Sequence, residues 1–243
     1  MEDSTVSQLV EHHSHKAARI LDSARELVAD HGVTKVTVSE IAAAAGVGKG
    51  TVYLYWPTKE DLILGLFARE LLAFLDEIVA SITADPAAVL PRHLAPLLIR
   101  TGLRSALARR LTTKDAQLLR LLTEQASDRD LFDRTQPSAM CEAVMPILRR
   151  HQLLRQDRPL ADQSYAMHAM LTGFGTAMSN PDSAPPSTGD PGDVLADTVA
   201  LILEPTVAPT EQAITAAAAD AAAVFRQTRD AILDIIARSQ AWR

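Results

Sequence analysis

Between Thr37 and Lys59 the chain gathers hydroxyls, phenols, ammonium groups and a glycine at spacings that a short helix and its flanks can present to one partner. The residues are Thr37, Lys49, Gly50, Thr51, Tyr53, Tyr55 and Lys59. Their chemistry is recognition. Lysines neutralise phosphates, tyrosine hydroxyls donate to phosphate oxygens, and a glycine lets backbone approach phosphate closely. The hydroxyl of Thr51 can bond a base edge and its methyl can pack on thymine. Bond-making chemistry has no comparable signature: the chain has no glycine-rich phosphate loop, nucleophile elbow or His-Glu-x-x-His run.

Such a face needs a scaffold that turns it outward. Ala17, Ile20, Leu21, Ala24, Leu27 and Val28 recur at helical spacing from His15 onward, and Gly32 follows where a left-handed cap would sit. Thr37-Val38-Ser39-Glu40 has the form of a capping box opening a second, short helix with Val38, Ile41, Ala42 and Ala45 on its apolar face. Gly46 can take the positive φ of a sharp turn, after which a third helix starts near Gly48 with Val52 and Trp56 on its buried side. Thr58 and Asp61 form another cap, and helix four runs to about Ile82. The expectation is a helix-turn-helix at 37–56, whose second helix must enter a groove about 12 Å wide.

These residues carry a resemblance. Thr37-Val38-Ser39-Glu40-Ile41-Ala42, Ala45-Gly46-Val47, Lys49-Gly50-Thr51-Val52-Tyr53, Tyr55-Trp56 and Lys59-Glu60-Asp61-Leu62 resemble the signature of the tetracycline-repressor (TetR) family. The match covers roughly residues 14 to 74. The resemblance implies an all-α homodimer with an N-terminal three-helix DNA-binding domain and a larger helical domain for ligand binding and dimerisation. It implies DNA contacts at Thr37, Lys49, Gly50, Thr51, Tyr53, Tyr55 and Lys59, and packing roles for Val52 and Trp56. Trp56 stands where the family more often has Phe, and Gly48 where a hydroxyl often stands.

The net charge of −6 opposes nucleic-acid binding as a sum, but between His15 and Lys59 six lysines and arginines face four acids. The single cysteine, Cys141, excludes a disulfide framework and a multi-cysteine metal site. No metal or cofactor is expected, and Cys141 reads as an inert buried thiol. His12, His13 and His15 read as part of a solvated arm. Met1-Glu2-Asp3 is followed by no basic, apolar leader, and the apolar stretch 163–181 is too diluted to span a membrane, so a cytoplasmic protein is expected.

Beyond Pro86, alanine and leucine dominate and no strand pattern appears, which predicts helices at about 87–110, 114–126, 128–151, 160–179, 192–205 and 210–240. The expected organisation is an arm at 1–13, a DNA-binding domain at 14–74, an effector-binding and dimerisation domain at 75–208, and an amphipathic C-terminal helix at 209–243. Aromatic, aliphatic and sulfur-bearing positions make the candidate effector cavity: Phe74, Leu97, Leu118, Leu122, Met140, Met167, His168, Met170 and Phe174. The expected partners are double-stranded operator DNA, a second copy of the chain and a small hydrophobic effector that releases a repressor from a palindromic site. A helical enzyme and a ligand-binding adaptor are the alternatives; operator protection separates them from the regulator.

Overall fold

The computed structural model describes residues 14–105 and 137–241, which are helical and contain no strand. They fall into two compact units. One comprises 14–73 with 229–241, the other 74–105 with 137–228.

In the first unit, α1 (His15–His31) buries Ala17, Ile20, Leu21, Ala24 and Val28, one face of a 3.6-residue repeat. Ser14 caps it by accepting from the Ala17 amide. Gly32 has the positive φ of 85° anticipated for it, but its ψ of 158° lies outside the left-handed cap region, and the chain turns at 33–35, with the Val36 amide donating to Gly32 O at 3.4 Å. Val33 and Val36 fill the core beneath this connection. The α2 helix (Val38–Ala44) opens on the capping box: Glu40 N–H donates to Thr37 Oγ1, and the Thr37 amide donates to Glu40 Oε2 at 2.8 Å. The α3 helix (Lys49–Tyr55) follows, and α1, α2 and α3 pack on one another. Thr58 and Asp61 repeat the reciprocal cap at the start of α4 (Lys59–Ala84), where Leu62, Ile63, Leu66 and Phe67 are buried. Arg69 on α4 pairs with Asp22 on α1 at 2.6 Å.

The second unit contains the end of α4, a 3-10 turn at Pro86–Val89, α5 (Pro91–Gly102), α6 (Pro137–Arg150), α7 (Leu160–Ser179), α8 (Pro191–Leu203) and the greater part of α9 (Glu211–Ala241). The helix expected at 87–110 is shorter in its described part. Pro91, with φ fixed and no amide to donate, starts a helix anew after the 3-10 turn, and α5 ends at Gly102. Likewise α8 begins at Pro191, one residue earlier than expected, because Asp190 caps it by accepting from the Gly192 amide. The expectation for 160–179 matches α7. The arm at 1–13, the helix at 114–126, and residues Leu118 and Leu122 lie outside the described residues.

Here α5 packs on α8, and α7 on α5, α6 and α8. Polar locks join these helices: Glu204, after α8, accepts from the Arg92 amide at 2.8 Å and from Arg92 Nε at 2.7 Å, and Arg100 reaches Asp190 at 3.1 Å. A β-carbon on Gly192 would stand 2.5 Å from the Arg100 guanidinium, so a side chain there would have to displace the end of Arg100. The amphipathic character expected of the C-terminal helix is seen on α9, where Ala218, Ala221 and Phe225 are buried while Arg226, Asp230 and Asp234 are exposed on another side.

Candidate nucleic-acid interface

The turn between α2 and α3 is closed at both the backbone and side-chain levels. Gly46 sits at φ 63°, its amide donates to Ala43 O at 3.1 Å and the Val47 amide to Ala42 O at 2.9 Å, the paired bonds of a Schellman cap. The Arg19 guanidinium on α1 donates to the carbonyls of Ala45 and Gly46, satisfying acceptors that the end of α2 leaves free. Arg19 therefore fixes the angle at which α3 departs. Sequence reasoning counted Arg19 only as a charge; its spacing from Ala45 gives no local signal.

Val52 is the buried residue of α3, and Trp56 closes the helix from behind at 6% exposure. With about 100° between successive side chains, Gly50 and Leu54 fall on either side of the pole opposite Val52, and Thr51 and Tyr53 on the two flanks. Burial agrees: Gly50 and Tyr53 are exposed, Thr51 is half-buried, and Leu54 is 83% exposed. Lys49 is exposed, its ammonium 5.7 Å from the centre of the Tyr53 ring, so cation and phenol form one polar edge. Leu54 is the functional candidate that residue type concealed, because leucine in a short helix reads as core.

The remaining candidates hold the frame as well as facing outward. Tyr55 is half-buried, its hydroxyl 2.7 Å from Ser14 Oγ. Lys59 Nζ donates to the Thr34 carbonyl at 3.2 Å. The Thr37 amide and then its hydroxyl donate to the Glu40 carboxylate and hold it below its ordinary range, while Thr37 Oγ1 accepts from the Glu40 amide. All seven candidates thus belong to α2, α3 or their flanks, but only Lys49, Gly50 and Tyr53 combine exposure with a place on α3 itself.

Elsewhere, Met167 is buried and Phe74, Leu97, Met140, His168, Met170 and Phe174 are half-buried in the second unit. Four side-chain polar atoms there, Thr101 Oγ1, Arg149 Nε, Gln163 Oε1 and His168 Nδ1, are buried without a hydrogen-bond partner among the described residues. An open hollow of about 290 Å³ beside Arg19, Asp22 and Glu26 contains none of these residues, and its charged rim does not suit a hydrophobic molecule. Burial pushes the Cys141 thiol up to about 11, which leaves it protonated and unreactive. Among the described residues no group of His, Cys, Asp or Glu could hold a metal ion, and no helix is long and apolar enough to cross a membrane.

Fold and site define a helix-turn-helix protein of the all-helical kind. The family of bacterial regulatory proteins called tetR matches residues 20–66. The fatty acid metabolism regulator protein of Bacillus subtilis is 41% identical over 61 residues, 25% of this chain and 31% of that protein. The regulator BetI of Rhizobium meliloti is 35% identical over 86 residues, 35% of this chain and 41% of its own. The chain thus aligns with about a third of the length of such relatives, around the helix-turn-helix. In overall fold it is similar to the fatty acid degradation regulator FadR of Bacillus halodurans, with a TM-score of 0.54 and 23% identity over 81% of this chain and 98% of that one. SmeT in its triclosan complex gives a TM-score of 0.55 and 19% identity over 81% and 96% of the two chains. The N-terminal segment of this chain thus matches the tetR family model, and the named relatives that align with it there are called regulators.

Proposed function

We propose that the chain is a transcriptional regulator that binds a palindromic operator in double-stranded DNA as a homodimer and represses until a small hydrophobic effector releases it. One observation carries this reading: α3 is held by the Schellman cap, Arg19 and Trp56 so that a face of Lys49, Gly50, Thr51, Tyr53 and Leu54 turns outward. A merely structural helix of this length has no need of so rigid a mount for an exposed face. The cytoplasm is the setting that such a role implies.

Dimerisation is supported by exposed apolar side chains on α7 and α8. Tyr165 is 76% exposed and Leu201 80%, with Val194 and Ile202 also open to water. On α7 the small residues Ala169 and Gly173 continue the exposed line four and eight residues after Tyr165, a surface flat enough for a second helix pair. The effector reading is supported by the apolar and sulfur-bearing set from Phe74 to Phe174, and by the unpartnered His168 Nδ1 and Thr101 Oγ1, which a ligand's polar group would satisfy. Release requires the effector to prefer the DNA-incompetent state; a tenfold loss of operator affinity needs about 1.4 kcal/mol of coupling.

The test is selection of duplexes from a random-sequence pool by the full chain, followed by footprinting. Enrichment of a two-fold symmetric sequence, with half-sites about one helical turn apart, is the expected result. Thr51→Ala should then alter base preference, whereas Tyr53→Phe should weaken all duplexes alike. Absence of any enriched sequence would remove the regulator reading.

A further inference from the structure

We propose that Leu54 is a specificity-determining residue that receives the C5-methyl group of a thymine in the major groove, an inference that rests on the operator-binding reading above. Leu54 and Gly50 flank the outer pole of α3, opposite buried Val52. Gly50 contributes no side chain, and a β-carbon placed on it would meet nothing within 4 Å. The isobutyl group of Leu54, 83% exposed, is therefore the foremost side chain on the helix.

Neither feature is explained by the fold. Glycine inside a helix is unfavourable relative to alanine, and here no neighbouring atom demands it. A leucine so open to water contributes nothing to the core. Both features are accounted for if a surface lies close against this pole: Gly50 lets the helix come near, and Leu54 meets an apolar group on that surface. The major-groove edges of the four base pairs carry donors, acceptors and one apolar substituent, the thymine methyl. Leu54 has no hydrogen-bonding atom, so it cannot read guanine, adenine or the cytosine amine. Lys49 and Tyr53 on the adjoining edge supply the phosphate contacts that hold the helix in register.

The test uses the full chain and the duplex selected from the random pool. Each thymine is replaced in turn by deoxyuridine, which removes the methyl and leaves pairing unchanged. At one thymine in each half-site, wild-type affinity should fall about fourfold, the factor corresponding to one buried methyl group. The Leu54→Ala protein, whose fold does not depend on an exposed side chain, should bind thymine and deoxyuridine versions of that site equally. Equal sensitivity of wild type and Leu54→Ala at every thymine would overturn the inference while leaving operator binding intact. Enrichment of no duplex would remove the operator reading, and this inference with it.

Discussion

The indole nitrogen of Trp56 lies 2.6 Å from the point where a β-carbon on Gly65 would stand. The bicyclic ring that closes α3 therefore depends on a missing side chain one and a half turns into α4. This explains how Trp56 fits where the resembling family more often has a phenylalanine. Gly65→Ala should destabilise the protein by about 1–3 kcal/mol through overpacking, opposite in sign to the gain expected from helix propensity alone. Adding Trp56→Phe to that variant should recover part of the loss. Urea midpoints of the two single variants and the double variant measure the coupling; a stabilised Gly65→Ala protein would refute the close approach.

Arg19→Met keeps the apolar stem of the side chain and deletes the guanidinium that holds the Ala45 and Gly46 carbonyls. Arg19 is exposed, so water replaces part of what is lost, and a cost of about 1 kcal/mol is expected. The larger effect should be on the selected duplex, because the exit angle of α3 is no longer fixed. Titration of that duplex, set beside the shift in urea midpoint, separates the two effects. Unchanged duplex affinity would show that the Schellman cap alone holds the turn.

His151, at the end of α6, places Nε2 2.8 Å from Asp220 Oδ2 on α9, and Arg150 reaches the same oxygen at 3.1 Å. The hydrogen bond to His151 is the main cause that lowers the Asp220 carboxyl below its ordinary range, helped by the charge of Arg150. A carboxylate depressed in the folded state adds stability above its unfolded value and loses it as pH falls through the folded one. Asp220→Asn should therefore be less stable than wild type near about pH 7 and converge with it in strong acid, once pH has fallen through the depressed folded-state range. Urea denaturation at neutral pH and in strong acid checks this, and a gap that stays constant with pH would exclude the ionic origin.

The helix-turn-helix was legible in the sequence because its signals act over three to five residues. The Thr37–Glu40 capping box, the Thr58–Asp61 cap and the positive φ of Gly46 are decided by local hydrogen bonding and by the steric freedom of glycine, and all three stand in the structure. So does the pairing of Val52 with Trp56 on the inner side of α3, which helical periodicity alone dictates. Proline is the local signal that moves two of the expected boundaries: Pro91 restarts the chain as α5, and Pro191 with Asp190 opens α8.

Packing decided what spacing could not. Arg19 and Ala45, Lys59 and Thr34, and Ser14 and Tyr55 are far apart in the chain, and their bonds exist only after α1 has docked on the turn and on α3. Docking also gave Leu54 its place, since the same leucine would have been core had the helix rolled by half a turn. Residue order sets which faces a helix owns, through a fixed angle per residue; which face is left to water depends on the neighbours that cover the others, and only the tertiary structure supplies them.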